Sequence, residues 1–279
     1  MAVDLHTHSR YSDGSDMPAE IVSQAKACGL SAVALTDHDL LNGIEEAVAA
    51  AGSDIELVPG AELSVQWEDR GMHLLTYWVE DESPLADRLG EIREGRDVRN
   101  REMIDALTGL GIDITMEELE LEAEIGVVGR PHFAAILVRK GVTDSIKESF
   151  DQYLAAGRPA YRPRTRVDAS AMMDLARESG AVPVIAHPHT LADGAAEFSH
   201  LFPKFAELGA AGVECYYVEY PQYLREGLAA TVDDLGMVAT GGSDYHGTYK
   251  PEVLLGTGKG DLVVPDSCLE RLAERRPIP

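Results

Sequence analysis

Residues 31–39 read SAVALTDHD, an apolar run that ends abruptly in Thr36, Asp37, His38 and Asp39. This is the pattern of a buried strand delivering polar side chains at its C-terminal end. Just upstream, residues 18–28 (PAEIVSQAKAC) have a helical pattern, with Pro18 near the start and Gly29 beyond the end. Downstream, GIEEAVAAAG is a second helix and IELVPGAELSVQW one strand or two. The apolar run HLLTYWV then pairs with that segment. Strand, helix, strand, helix in this order predicts parallel strands with crossover helices.

The pattern changes near residue 82. From Ser83 to about Thr108 a long amphipathic helix is expected, with Leu85, Leu89, Ile92, Met103, Ile104 and Leu107 on one face. TMEE at 115–118 is a capping box opening a short acidic helix. RPHFAAILVRKG and TDSIKESFDQYLAAG are two more helices, so this region is expected to be a helical insertion. Alternation then resumes through ASAMMDLARESG, AVPVIAHP, FPKFAELGA, GVECYY, YLREGLAATVDDLG and MVATGGSDYH. The predicted organisation is a barrel in two parts, 1–82 and 161–279, around an insertion at 83–160 that caps the substrate.

Composition narrows the function. The 279 residues carry a formal net charge of −24, which disfavours a long polyanionic partner, because such binding depends on neutralising many phosphates. No stretch approaches a membrane span, and no basic segment precedes an apolar one as in a secretory leader. Three widely separated cysteines, Cys28, Cys215 and Cys268, suit reduced thiols in a cytoplasm and argue against a disulfide scaffold or thiolate zinc site.

Ligand-type residues gather where the strand patterns end. DLHTHSRYSDGS (residues 4–15) places His6 and His8 on one face of an extended segment, since residues i and i+2 project the same way. Asp13 follows in a Ser-Asp-Gly turn that can bring its carboxylate back to the same place. Glu62 comes from GAE and His73 from the start of HLLTYWV. His187 follows AVPVIA, and Asp244 and His246 follow VATGGS. In a (β/α) barrel the C-terminal ends of the strands form the active face, and a barrel would gather these scattered residues. His189 and His200 fit no such position and read as surface residues.

In order, HTHSRYSDGS, LTDHD, GAE, the lone His73, AHP and GSDYH resemble the PHP (polymerase and histidinol phosphatase) family of metal-dependent phosphoesterases. The resemblance spans the whole chain and is closest to the stand-alone branch of nucleoside 3′,5′-bisphosphate phosphatases and related cyclic-phosphate hydrolases. It implies an α/β fold, a distorted (β/α)7 TIM-like barrel with a helical insertion subdomain. It also implies two or three divalent ions. By analogy His6, His8, Glu62 and Asp244 would hold one ion, and Asp13, His38 and His246 a second. Glu62 would bridge to a third, shared with His73 and His187. Imidazole and carboxylate ligands without thiolates suit Mn²⁺, Fe²⁺ or Zn²⁺ and do not choose among them. Paired ions lower the pKa of a bridging water and clamp phosphoryl oxygens during in-line displacement, so attack on phosphorus by a bridging hydroxide is expected.

Two basic features suggest where substrate binds. Arg130 precedes Pro131 and His132 at a helix start, where free N–H groups favour phosphate, and branch members carry a similar Arg-x-His. Arg93, Arg96, Arg99 and Arg101 share one helix, where solvated ion pairs are the default; Arg99 is the one read as a substrate contact. Arg158, Arg162, Arg164 and Arg166 add charge where the insertion rejoins the barrel. The expected substrate is a small phosphorylated ribose metabolite, either a nucleoside 3′,5′-bisphosphate or a 5-phosphoribose cyclic phosphate. The alternatives are a histidinol-phosphate-type phosphatase, an exonuclease, an amidohydrolase and a non-enzymatic metal-binding module.

Overall fold

The computed structural model describes residues 2–123, 127–163, 167–192 and 195–277. Strand β1 (Val3–Asp4) is followed by helix α1 (Pro18–Ala27), β2 (Ala32–Leu35), α2 (Ile44–Ala51), β3 (Glu56–Trp67) and β4 (Arg70–Tyr77). Helices α3 (Pro84–Gly109), α4 (Met116–Ala123), α5 (Arg130–Arg139) and α6 (Ile146–Ser149) come next, and α6 runs on into a π-helical turn at Phe150–Leu154. Then come β5 (Val167–Asp168), α7 (Ala169–Glu178), β6 (Val182–Ile185), α8 (Ala195–Glu207), β7 (Gly212–Tyr217), α9 (Gln222–Asp234), β8 (Val238–Gly242) and α10 (Ser267–Ala273).

The chain divides into two compact units, Met1–Leu89 with Arg166–Pro279, and Gly90–Thr165. In the first, the strands run in the order β1-β2-β3-β4-β6-β7-β8, with β5 beside β3. The two ends of this sheet meet. Leu5 N–H donates to Gly241 O at 3.2 Å, Asp244 N–H to His6 O at 3.0 Å, and Thr7 bridges to Tyr245. The sheet therefore curls into a nearly closed barrel. Gly242 permits the closure: a Cβ there would lie 2.4 Å from His6 N, so only glycine lets β8 pass this close.

One strand departs from the parallel pattern. β4 is antiparallel to both β3 and β6. Only Glu68 and Asp69 separate it from β3, too few for a crossover helix. The two strands form a hairpin instead, with Glu68 at φ 53°. Reversal puts the first half of β4 at the barrel end where the other strands finish, so His73, opposite Ser64, lies at that same end.

Alternation along the strands builds the two sides of the wall. Ala32 and Ala34 face the same fully buried cluster as Val3, Leu5, Leu75 and Val184. Val33 and Leu35 face the other way, against Ile21 and Val22 of α1 and Ala47 of α2. Each large side chain so buried contributes about 1.5–3 kcal/mol. In the second unit, Met103, Leu107, Leu119, Phe133 and Leu137 share a core. The capping box at α4 forms as its sequence predicts: Thr115 Oγ1 accepts from Glu118 N–H at 3.2 Å, and Glu118 accepts from Thr115 N–H at 3.0 Å.

Candidate metal centre

The β1 strand ends at Asp4, and the extended segment beyond it places two imidazoles on one side. His6 and His8 are fully buried, with Nε2 atoms 3.0 Å apart. Glu62 comes from mid-β3, at the level where His38 bridges to it just past the end of β2. Its Oε2 lies 3.3 Å from His6 Nε2 and 3.1 Å from His8 Nε2. Asp244 Oδ1, beyond β8, lies 3.5 Å from His6 Nε2 and 3.3 Å from His8 Nε2. Tetrahedral ligands about 2.0–2.1 Å from a transition ion stand roughly 3.3–3.4 Å apart, so these four atoms have the spacing of a coordination shell.

A second group forms beside it. Asp13 is within 3.5 Å of His38 Nε2, 3.4 Å of His246 Nε2 and 3.5 Å of His8 Nδ1. A third centres on Glu62, whose Oε1 lies 2.8 Å from both His73 Nδ1 and His187 Nε2; these two nitrogens are 3.3 Å apart. Three such groups, His6–His8–Asp244, His8–Asp13–His38 and His38–Glu62–His73, each bring ligand atoms within 4.8 Å of one another.

The donor set fits divalent ions on its own chemistry. His8 Nδ1 and His38 Nδ1 are buried and face Asp13 and Glu62 at 3.5 and 3.3 Å without forming a hydrogen bond, an expense that native interiors rarely carry. Thiolates take no part: Cys28 is exposed, and Cys215 and Cys268 are buried elsewhere. The carboxylates set the electrostatics of the cluster. Burial alone would lower the His6 and His8 pKa values, yet neighbouring carboxylates overrule it. Glu214, Glu62 and Asp244 raise His6 well above its usual value, and hydrogen bonds to Asp244 and Glu62 lift His8 to about 10. Asp244 and Glu62 are held well below the usual carboxylate range by the surrounding histidines, against desolvation that pulls the other way. Asp13 is likewise held low, through His246, His38 and His8, although desolvation opposes it. Desolvation, opposed by Glu62 and Asp13, pushes His38 down to about 3, the neutral form that ligates.

Supporting contacts orient these groups. Asp37 accepts from Ser9 N–H at 2.7 Å, Ser9 Oγ at 2.6 Å and Ser12 Oγ at 2.6 Å. That fixes the loop leading to Asp13. Gly14 completes the loop: a Cβ there would lie 2.2 Å from His8 O. Asp244, at φ 54°, has its Oδ2 held by Tyr217 Oη at 3.0 Å and Lys250 Nζ at 2.8 Å. His246 Nδ1 lies 2.8 Å from Asp244 O, which directs Nε2 toward Asp13. Glu214, fully buried, contacts both His6 and His187. Sequence alone gathers Asp37 with His38 among the ligand-type residues at strand ends but gives it no metal or substrate role, and it passes over Glu214, Tyr217 and Lys250. The signals were present in Asp37 of LTDHD and in Glu214, an acidic residue inside the apolar run GVECYY.

His6, His8, Asp13, His38, Glu62, His73, His187, Asp244 and His246 are therefore gathered at one end of the barrel. Arg99, Arg130 and His132 belong to the other compact unit. There Arg99 is buried and donates to Asn100 Oδ1 at 2.7 Å. Arg130 opens α5, with its guanidinium 5.7 Å from the Tyr161 ring centre and 6.0 Å from that of Phe150. His132 Nδ1 accepts from Gly129 N–H at 3.0 Å. Arg164 and Arg166 lie outside the described residues. His189 and His200 are exposed as expected, although the His189 ring stacks on Tyr217 at 5.2 Å.

Residues 4–161 match the PHP domain family. The chain is 33% identical over 250 residues to a 3′,5′-nucleoside bisphosphate phosphatase of Chromobacterium violaceum, covering 88% of this chain and 87% of that protein. It is 31% identical to a 5′-3′ exoribonuclease of Haemophilus influenzae, over 87% of this chain and 89% of the relative. It is 29% identical to a phosphoribosyl 1,2-cyclic phosphate 1,2-diphosphodiesterase of Eggerthella lenta, over 89% and 95%. Among solved structures, a Bifidobacterium adolescentis protein described as a metal-dependent phosphoesterase superposes with a TM-score of 0.80 at 27% identity, covering 99% of this chain and 96% of that one.

Proposed function

The chain belongs to the PHP domain family of metal-dependent phosphoesterases, and on that footing we propose that it hydrolyses phosphate esters of a small phosphorylated ribose compound. A nucleoside 3′,5′-bisphosphate is the favoured substrate and a 5-phosphoribose cyclic phosphate the next. The observation that carries this reading is the convergence of nine imidazole and carboxylate side chains at one barrel end, their nitrogens and oxygens 2.8–3.5 Å from one another. Similarity to the bisphosphate phosphatase and the cyclic phosphodiesterase supports the ribose phosphate.

His6, His8, Glu62 and Asp244 would hold one ion, Asp13, His38 and His246 a second, and Glu62 with His73 and His187 a third. Bound divalent ions supply Lewis acidity toward phosphoryl oxygens and acidify water to near neutrality; Mn²⁺, Fe²⁺ and Zn²⁺ all suit this donor set. The chain's own residues do the rest. Tyr217 and Lys250 fix one oxygen of Asp244, leaving the other turned to His6 and His8. The Lys250 side chain is 38% exposed, so its ammonium can meet an incoming phosphate as well as Asp244. Arg130 and His132 are assigned to a second phosphate at the positive end of the α5 dipole; the Gly129 and His132 N–H groups there already donate to His132 Nδ1 and Gly129 O, and Pro131 has none to offer. Three unpaired cysteines support a reducing, cytoplasmic setting. Among the described residues no helix is long and apolar enough to cross a membrane.

A second reading, exonucleolytic cleavage of RNA, is favoured by the 31% identity to a 5′-3′ exoribonuclease. The net charge of −24 weighs against a long polyanion. The test is product analysis with purified protein and each metal, on adenosine 3′,5′-bisphosphate, 5-phosphoribose 1,2-cyclic phosphate, histidinol phosphate and a short 5′-phosphorylated RNA. Fastest turnover of the bisphosphate is expected. Preference for RNA would replace the first reading with the second.

A further inference from the structure

Glu214 sits on β7 between Val213 and Cys215, and all three are fully buried. A carboxylate inside an apolar strand is costly unless strong donors satisfy it. Its two oxygens find donors on two different strands' ends. Oε1 lies 2.9 Å from His6 Nδ1, and Oε2 accepts the backbone N–H of His187 at 2.7 Å.

Both partners also turn ring Nε2 toward Glu62. His6 Nε2 is 3.3 Å from Glu62 Oε2, and His187 Nε2 is 2.8 Å from Glu62 Oε1. The first contact settles a tautomer: an imidazole that donates Nδ1–H to a carboxylate keeps Nε2 for coordination and becomes a more basic ligand. The second settles a backbone. His187 has φ 24°, in the region that side chains disfavour. An N–H bonded to a buried carboxylate counters that strain.

We infer that Glu214 is a positioning residue that sets two ends of the metal cluster together, fixing the His6 ring and the His187 main chain through one carboxylate. The inference rests on reading His6 and His187 as metal ligands. Loss of Glu214 function should therefore weaken ion binding at both the His6–His8–Asp244 group and the Glu62–His73–His187 group. A merely space-filling role would change stability and leave ion affinity unmoved.

Glu214→Gln tests this, because it keeps the shape while one of its two terminal atoms becomes a donor. Glutamine can accept from His6 or from His187 N–H, but its amide nitrogen opposes whichever donor remains. Co²⁺ affinity is measured by competition with a chromogenic chelator, and coordination by the visible absorption of bound Co²⁺. The variant should bind about 10–100-fold more weakly, with an altered Co²⁺ spectrum. Equal affinity and an unchanged spectrum would overturn the inference while leaving the metal reading standing. Wild-type protein that binds no Co²⁺, Mn²⁺ or Zn²⁺ would remove the metal reading and the inference with it. If Glu214→Gln does not fold, ¹⁵N NMR of the wild-type histidines decides instead. Metal-loaded His6 should carry its proton on Nδ1, and a proton on Nε2 would overturn the assignment.

Discussion

His6 and His8 hold their Nε2 atoms 3.0 Å apart in a fully buried setting. Two lone pairs at that distance repel unless a cation or a shared proton stands with them. The cation follows from Glu62 and Asp244, whose oxygens lie 3.1–3.5 Å from both nitrogens. At least two transition ions per chain are expected by elemental analysis, and chelation should abolish activity that Mn²⁺ or Zn²⁺ restores. Ion binding should also raise thermal stability, by about 2.7 kcal/mol at a hundred times the dissociation constant. Full activity after exhaustive chelation would sink the idea.

Protein stripped of metal should respond to pH in a specific direction. His8 is held up to about 10 by hydrogen bonds to Asp244 and Glu62, despite burial that lowers it. A folded-state pKa above the unfolded value contributes stability that is fully present below about 6.5 and lost as pH rises toward 10. Urea unfolding of the stripped protein should therefore show stability falling across that window. The metal-loaded protein, with His8 ligated, should show a flatter profile there. Identical profiles would mean that His8 does not exchange a proton for an ion.

Asp244→Asn and His38→Ala should each abolish turnover with little loss of fold. Asp244 presents one oxygen to His6 and His8, and His38 lies within 3.5 Å of Asp13 and 3.3 Å of Glu62. Each substitution removes a donor atom from the cluster: Asp244 from the group around His6 and His8, and His38 from between Asp13 and Glu62. A fall beyond a hundredfold in kcat, roughly 2.7 kcal/mol in the barrier, is expected alongside near-native circular dichroism. Activity within tenfold of wild type would take the residue out of the site.

Asp37 should matter through the loop it holds. Its carboxylate satisfies three donors from Ser9 and Ser12, and Asp13 follows directly. Asp37→Ala leaves buried donors unpaired, at about 1–3 kcal/mol for each one stranded. Denaturant unfolding should show a loss of that size, with kcat reduced as Asp13 drifts. A variant of wild-type stability and kcat would show that the loop does not depend on Asp37.

Much of this was legible in the sequence because apolar runs ending in His or Asp place ligands at strand ends. SAVALTDHD and VATGGSDYH contribute His38, Asp244 and His246 in that way. The reversed β4 was harder to read, since apolar runs look alike in either direction; only the two-residue connection at Glu68 and Asp69 marks the hairpin. Glu214 was passed over because a strand pattern weighs its apolar neighbours and not its one acid. Its partners His6 and His187 stand 208 and 27 residues away; neighbouring strands β6 and β7 create the second contact, and only the meeting of the two ends of the sheet creates the first. Asp37 was legible as a residue at a strand end, but its grip on Ser9 and Ser12 depends on how the loop folds over it.

The last prediction concerns the second unit. Arg130 is the first residue of α5, and Phe150 and Tyr161 flank its guanidinium. Aromatic faces hold a guanidinium in place while leaving its N–H edge able to bond an anion. The helix start adds the positive end of the dipole, although its Gly129 and His132 N–H groups are already satisfied within the turn. Arg130→Ala should therefore weaken substrate recognition and leave metal content intact. A charge-assisted contact is typically worth about 1.5–3 kcal/mol, so kcat/KM on a nucleoside 3′,5′-bisphosphate should fall roughly tenfold to a few hundredfold. A singly phosphorylated counterpart lacking the phosphate assigned to Arg130 should lose far less. Equal turnover of both compounds by wild type would refute the two-phosphate reading. Unchanged kinetics in Arg130→Ala would leave this arginine a helix cap packed between two rings.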